Sequence, residues 1–180
     1  MSRLESGVLR PTLRPVALEE IVPLALDDAG PGGNDVIVRD LDQVPPVSAD
    51  AGLLERVVAN LIANALRHSP PHDPPVVTAS TLDDRVELRV IDRGPGIPED
   101  QREHVFRPFQ RLGDRRNDAG LGLGLALSRG LVEAMHGSIE PEETPGGGLT
   151  MVIVLHPAAS PGTAEIDAGH TTGGDAGTTI

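Results

Sequence analysis

A single amphipathic run, AGLLERVVANLIANALRHS, follows Asp50 and ends before Pro70. Its apolar residues recur at intervals of three and four, which is the period of a helix with one buried face. Asp50 is a typical N-cap for such a helix. A helix of this kind must bury its stripe against a second layer of structure. The stripe is predicted to comprise Leu53, Leu54, Val57, Val58, Leu61, Ile62, Ala65 and Leu66.

Segments on both sides of this run are predicted to form further helices and strands. Pro23 is expected to kink or delay the first helix, and Gly137 to close the last one in the C′ position. The order predicts an α+β fold, a two-layer α/β sandwich in which helices cover one face of a mixed sheet. The predicted helical segments are 17–29, 99–104 and 121–136, and the predicted strands are 35–39, 76–80, 85–92, 138–142 and 149–155.

The charge and composition of the 180 residues exclude several classes of function. The net charge is −12, all 15 basic residues are arginine, and lysine and cysteine are absent. Sites that need a lysine or a thiolate are therefore excluded. The acidic balance argues against a nucleic-acid partner and against direct contact with an anionic membrane. Because the sequence lacks a long apolar span and a signal-like start, we expect a soluble, cytoplasmic domain.

The polar face of the long helix is the first candidate site. Asn60, Asn64, Arg67 and His68 fall within a sector of about 100° when projected on a helix. Asparagine is a poor helix former, so two of them one turn apart favour a functional reason. Carboxamide oxygens suit Mg²⁺, and a guanidinium suits phosphate oxygens. The same residues also fit a solvated polar edge, and this helix alone leaves both interpretations open.

A second candidate site follows the strand predicted over 85–92. Asp92 ends this strand, and Gly94 and Gly96 follow it. A fixed carboxylate beside glycines, which allow a ligand to approach the backbone, is suited to binding an exocyclic amine such as that of adenine. Taken alone, these residues also fit an ordinary turn.

A third candidate site is a glycine-rich helix start. Gly120, Gly122 and Gly124 alternate with Leu121 and Leu123 at the predicted beginning of the last helix. Free backbone N–H groups at a helix N-terminus attract anions, although glycines also mark tight packing or a hinge. The preceding arginine-rich segment is suited to a lid over a polyphosphate, or is simply a solvated loop. Its arginines are Arg107, Arg111, Arg115 and Arg116.

Five motifs in order carry a resemblance to a known family: NLIANALRHS, DRGPGIP, VFRPFQRL, GLGLGLALS and TPGGGLTMVIVLHP. From Val16 to Pro157 the chain resembles the ATP-binding catalytic domain of bacterial sensor histidine kinases, most closely the potassium-responsive Kdp-type group. Gyrase, heat-shock chaperone and mismatch-repair ATPases share the family's fold. The resemblance implies an α/β sandwich that binds ATP and Mg²⁺ between its helices and its sheet.

The resemblance also implies a role for each matching residue. Asn64 would coordinate Mg²⁺ with support from Asn60, which makes these two the implied catalytic residues. Arg67 would contact phosphate, His68 would lie against the purine, and Asp92 would bind the adenine amino group. Hydrolytic members of the fold carry a glutamate where this chain has Asn60, which disfavours a chaperone-like or topoisomerase-like ATPase. The remaining implied nucleotide-binding residues are Gly94, Gly96, Gly120, Leu121, Gly122, Leu123 and Gly124.

The expected domain division follows from the same resemblance and, for the tail, from a composition of glycine, threonine, alanine and aspartate that has almost nothing to bury. Residues 1–15 resemble the end of a dimerisation helix and a linker, 16–157 the catalytic domain, and 158–180 are predicted to be a disordered tail. The implied partners are a histidine-containing dimerisation domain, absent from this chain, and a downstream response regulator. We therefore expect a protein histidine kinase that is not competent alone. The alternatives are a regulatory ATP-binding protein, such as an anti-sigma-like serine kinase, and an inactive truncated kinase.

Overall fold

The computed structural model describes residues 10–107 and 123–159, and it confirms the predicted α+β fold. Three short 3₁₀ helices accompany the main elements, at Gly33–Asp35, Leu41–Gln43 and Glu99–Phe106. In chain order the main elements are β1 (Arg14–Val16), α1 (Leu18–Asp28), β2 (Ile37–Arg39), β3 (Val47–Ala49), α2 (Ala51–His68), β4 (Val76–Leu82), β5 (Arg85–Ile91), α3 (Gly124–Ala134), β6 (Ser138–Glu143) and β7 (Leu149–Leu155).

The main sheet has five strands in the order β2-β4-β5-β7-β6. β2 pairs with β4 in parallel, and the other pairs are antiparallel, so the sheet is mixed as predicted. Alternate residues of β5, namely Val86, Leu88 and Val90, are buried, as the two-residue period of a strand requires. They belong to the same hydrophobic core as the buried residues of α1 and α2. The helices therefore cover one face of the sheet.

The long helix α2 forms where the sequence predicts it. Its buried residues are Leu54, Val57, Val58, Leu61, Ile62 and Ala65, and the predicted stripe members Leu53 and Leu66 pack against this core while partly exposed. The Asp50 side chain caps the helix by accepting a hydrogen bond from the backbone N–H of Leu53 at 3.2 Å. Its other carboxylate oxygen accepts from the N–H of Thr12 at 2.8 Å. One carboxylate therefore joins the helix start to the segment before β1.

Helix α1 begins at Leu18, five residues before Pro23, so the prediction of a late start at the proline was wrong. Pro23 lies inside the helix, where it cannot donate a backbone hydrogen bond. The buried side chains of Leu18, Ile21, Val22 and Ala25 explain why the helix nevertheless forms. Their packing in the core offsets the missing hydrogen bond. Local sequence preferences do not reveal this packing.

The end of α3 differs from its prediction by one residue. His136, not Gly137, occupies the left-handed C′ position, with φ of 63°. The N–H of His136 bonds to the carbonyl of Glu133, and the N–H of Gly137 to that of Val132, both at 3.0 Å. This is the Schellman pattern of helix termination. Gly137 has a different role, because a β-carbon there would lie 2.6 Å from the carbonyl oxygen of Val154.

Two further features of the architecture were not predicted. β1 and β3 form a separate antiparallel pair, and neither was identified as a strand. α3 begins at Gly124 rather than at Leu121, which lies outside the described residues. Strands of three residues are too short to show a clear alternation, so pairing between distant segments decides them.

The first and last described segments of the chain both lie beside β3. β1 starts inside the segment that the sequence assigns to a linker, and the N–H of Ala158 bonds to the carbonyl of Pro46 at 2.8 Å. Residues 1–9 and 160–180 lie outside the described part of the chain, so the domain division stays a prediction. None of the described helices is long and apolar enough to cross a membrane.

Replacing Asp50 by alanine is expected to lower the free energy of unfolding by about 1 kcal/mol, the usual effect of losing an N-cap. The hydrogen bond from Thr12 holds the pKa of Asp50 below its usual value. The carboxylate therefore contributes stability above the unfolded-state pKa of about 3.9, and this contribution is lost as the pH falls through the folded-state pKa. Urea unfolding between pH 6 and pH 3 measures both effects.

Asp50→Asn is the control for this prediction, because asparagine caps a helix but does not titrate. Its stability is expected to approach that of the native chain as the pH falls. Parallel pH profiles of the two proteins down to pH 3 would contradict the assigned role of the Asp50 charge.

Candidate functional site

The last two turns of α2 carry the predicted polar residues. Asn60 and Asn64 are half-buried, whereas Arg67 and His68 are exposed. The Arg67 guanidinium donates a hydrogen bond to Oδ1 of Asn64 at 3.0 Å, so these two side chains are in direct contact. The structure thus brings together an amide oxygen and a cation at the surface of the helix.

Asn60 is directed toward α3. Its Nδ2 donates to the hydroxyl of Ser128 at 2.9 Å, and a β-carbon at Gly124 would overlap its Oδ1. Gly124 therefore leaves the space that the Asn60 amide occupies. Beside this contact lies a cavity of about 200 Å³, which is lined by Arg56, Asn60, Gly124, Leu127, Ser128 and Leu131.

Asp92 follows β5 directly and is only 6% exposed. Its Oδ1 accepts hydrogen bonds from the N–H of Gly94 at 2.9 Å and from the N–H of Leu149 at 3.0 Å. Its own N–H bonds to the carbonyl of Leu149 at 2.8 Å. Among the described residues, Oδ2 accepts no hydrogen bond. The backbone thus fixes the carboxylate and leaves one oxygen as an acceptor for a ligand.

The glycines after Asp92 allow three parts of the chain to approach one another. A β-carbon at Gly94 would lie 2.7 Å from the carbonyl oxygen of His68, at the end of α2. Gly96 has φ of +71°, and a β-carbon there would lie 3.0 Å from the carbonyl oxygen of Gly148. The predicted residues Asp92, Gly94 and Gly96 therefore pack between the end of α2 and the β6–β7 turn.

Two arginines fasten the loop after Asp92, and the sequence did not predict this. Arg93 donates to the carbonyl of Pro145 at 2.6 Å. Arg102 donates to the carbonyl of Ile97 at 3.4 Å and forms an ion pair with Glu143, also at 3.4 Å. The only signal in the sequence is the presence of arginines on both sides of a short glycine- and proline-rich segment, which does not identify their partners.

The predicted anion site at the start of α3 is only partly described. Leu123 precedes α3 and is 37% exposed, and Gly124 is its first residue. The described part of the site therefore consists of the helix start and of Arg107, which is exposed. The remaining predicted residues of this site and its arginine-rich segment lie outside the described residues: Gly120, Leu121, Gly122, Arg111, Arg115 and Arg116.

Arg129 connects α3 to the 3₁₀ helix that ends at Phe106. Its guanidinium lies 3.7 Å from the centre of the Phe106 ring and donates to Glu103 at 3.2 Å. The hydrogen bond from Arg129 is the main reason that the pKa of Glu103 lies below its usual value. The Phe106 side chain is buried. The elements on both sides of residues 108–122 are therefore in direct contact.

These features combine into one chemically defined surface. Near the end of α2, a backbone-held carboxylate is suited to an amine donor, and an amide oxygen beside a guanidinium is suited to a hard cation and to phosphate oxygens. No group of three or more histidine, cysteine, aspartate or glutamate side chains that would hold a metal occurs in the described residues. The carboxylate, the amide oxygen and the guanidinium fit a ligand that combines an amine donor with phosphate oxygens.

Comparison with known proteins identifies the family to which the chain is similar. Residues 49–159 match the family described as histidine kinase-, DNA gyrase B-, and HSP90-like ATPase. The sensor protein KdpD of Rathayibacter rathayi is 52% identical over 168 residues, which cover 93% of this chain and 19% of that protein. The chain therefore spans about a fifth of the length of this relative.

Solved structures of similar proteins have the same fold. The mycobacterial sensor histidine kinase MprB superposes with a TM-score of 0.68 and 29% identity, covering 82% of this chain and 100% of that one. Full-length ShkA in complex with AMPPNP superposes with a TM-score of 0.67 and 26% identity, covering 85% of this chain and 33% of that one.

Asp92→Ala is expected to lower the free energy of unfolding by about 1 to 3 kcal/mol, because it leaves the N–H groups of Gly94 and Leu149 without their acceptor. Asp92→Asn keeps an acceptor oxygen at Oδ1 and is expected to be close to native in stability. Urea unfolding of both variants tests this difference. Equal stability of the alanine and asparagine variants would contradict the assigned hydrogen bonds.

Proposed function

Because this chain belongs to the histidine kinase-, DNA gyrase B-, and HSP90-like ATPase family and is the ATP-binding catalytic domain of a sensor histidine kinase, we propose that it transfers the γ-phosphate of Mg-ATP to a histidine on a separate dimerisation domain. The observation that carries the proposal is the fixed carboxylate of Asp92 beside the end of α2. It is the feature best suited to selecting a nucleotide by its base.

Adenine recognition is proposed to rest on Asp92. Two backbone N–H groups hold Oδ1, so Oδ2 would accept a hydrogen bond from the exocyclic amine of adenine without reorganisation of the site. Guanine has a carbonyl oxygen at the corresponding ring position and would be repelled. Gly94 and Gly96 would let the base approach the backbone, and His68 would lie against the purine.

The phosphate side of the site is proposed to use Asn64 and Arg67. A bound Mg²⁺ would neutralise charge on the phosphate oxygens and fix their orientation. Asn64 offers one hard oxygen, and Mg²⁺ is commonly held by one or two side chains together with substrate phosphates. Arg67, which donates to Oδ1 of Asn64 in this structure, would release that oxygen to Mg²⁺ and donate to a phosphate oxygen instead. Leu123 and Gly124 would border the phosphates, together with Gly120, Leu121 and Gly122.

The transfer step needs positioning and charge neutralisation more than covalent chemistry by this domain. A nitrogen of the acceptor imidazole forms a bond to the γ-phosphorus while the bond from that phosphorus to the β–γ bridging oxygen breaks, which releases ADP. Asn60 would support the metal and the phosphates. Because an amide is not a base, Asn60 would not activate water, and this favours transfer over hydrolysis.

The remaining assignments concern the whole protein rather than this domain. We propose that residues 1–15 lead from a dimerisation helix, that 16–157 form the catalytic domain, and that 158–180 are a disordered tail. The acceptor histidine is proposed to belong to a separate dimerisation domain, so that this chain alone would not complete the transfer. A response regulator would then receive the phosphoryl group. We propose that this transfer takes place in the cytoplasm. We propose potassium as the stimulus of the whole protein, and the similarity to KdpD proteins is the support for this assignment.

Thermal unfolding with and without Mg-ATP tests the nucleotide site. A ligand at 100 times its dissociation constant adds about 2.7 kcal/mol, or about 5 to 10 °C in Tm for a chain of this size. We expect this shift to be largely lost in Asp92→Asn and Asn64→Ala. Asp84→Asn, an exposed carboxylate-to-amide change in the β4–β5 turn, is the matched control. Equal Mg-ATP shifts in all four proteins would exclude the proposed site.

Incubation with γ-labelled ATP tests the transfer. The acceptor is the dimerisation domain of a KdpD relative, with a version that lacks its histidine as the control. We expect label on the intact acceptor only, and none when the catalytic chain carries Asp92→Asn. A chain that binds ATP but labels no supplied acceptor of this type would contradict the kinase proposal.

A further inference from the structure

Ser128 is a buried polar residue to which the proposed reaction assigns no role. It lies on α3, is 2% exposed, and accepts a hydrogen bond from Nδ2 of Asn60 at 2.9 Å. The bond joins two helices through side chains that are 68 residues apart in sequence. A buried hydroxyl needs a hydrogen-bond partner, and here the partner is a residue of the candidate site.

Gly124 and Ser128 act on Asn60 from the same face of α3. They are four residues apart, so they lie one above the other on the helix. Ser128 bonds to the nitrogen of the amide, while Gly124 leaves room for its oxygen. An asparagine side chain on a helix otherwise has several accessible rotamers. The two contacts select one of them and fix which end of the amide faces which residue.

We propose that Ser128 is a positioning residue that holds the carboxamide of Asn60 in the orientation needed for phosphoryl transfer. This inference rests on the proposed function, since it concerns the same site. Asn60 lies one turn before Asn64 on α2, so the two amide side chains are neighbours on the same face of the helix. Through this bond, α3, which begins at the predicted phosphate-binding residue Gly124, sets the geometry of a side chain on α2.

Ser128→Ala removes the bond and is expected to lower kcat for transfer to a supplied dimerisation domain by about 3- to 10-fold, the effect of one neutral hydrogen bond. KM for ATP is expected to change less than twofold. Ser128→Thr keeps the hydroxyl, and the adjoining cavity accommodates its methyl group, so it should restore most of the rate. Ser80→Ala, on the exposed end of β4, is the matched control.

A double-mutant cycle distinguishes positioning from a general effect on folding. If Ser128 acts through Asn60, the kcat of Asn60→Ala/Ser128→Ala equals that of Asn60→Ala alone. Additive losses in the double variant would overturn the proposal. So would an unchanged kcat in Ser128→Ala, or a loss that Ser128→Thr does not restore although it folds normally.

A readout without nucleotide separates this proposal from the proposed function. The side-chain NH₂ signals of Asn60 in a ¹H–¹⁵N spectrum are identified by their loss in Asn60→Ala. We expect Ser128→Ala to shift them and to speed their exchange with water, and Ser128→Thr to leave them near their native positions. Unchanged signals in Ser128→Ala would overturn the positioning role. Absence of transfer by the native chain, with the signals responding as expected, would overturn only the kinase activity.

Discussion

The burial of one face of α2 is the interaction on which the rest of the structure depends. Six of its apolar residues are almost completely buried among α1 and the sheet, and full burial of each leucine, isoleucine or valine contributes about 1.5 to 3 kcal/mol. The same rotation that buries this stripe turns Asn60, Asn64 and Arg67 away from the core. The core residues and the candidate site residues therefore lie on two faces of one helix, so a rotation of α2 would displace both.

The pairing register of the sheet fixes the position of Asp92, the other part of the candidate site. Asp92 extends the pairing of β5 with β7 by one residue, because its N–H still bonds to the carbonyl of Leu149. Its side chain then accepts the N–H of the same residue. A slip of one residue between these strands would remove both bonds and turn the carboxylate to the other face of the sheet. Strand pairing thus determines where the nucleotide base would be recognised.

The sequence was informative where the cause of a structure is local. The period of α2, the alternation of β5 and the cap at Asp50 each depend on neighbouring residues, and all three were predicted. The candidate residues on α2 and after β5 were also identified, although their roles remain proposals. What was missed depends on distant partners: the pairing of β1 with β3, the contact of Arg93 with Pro145, and the bond between Asn60 and Ser128. No local pattern specifies which residue meets which across the fold.

The contact of Arg129 with Phe106 and Glu103 has a consequence for how this domain tolerates change. The segment between residues 107 and 123 starts and finishes at two elements that already hold each other. Because doubling the length of a chain with fixed ends costs only about 0.6 kcal/mol in closure entropy, a change of length before Gly120 would cost this frame little free energy. The part of the segment before Gly120 can therefore differ in length and composition between related domains, whereas Gly120, Leu121 and Gly122 are constrained by their proposed position at the phosphates.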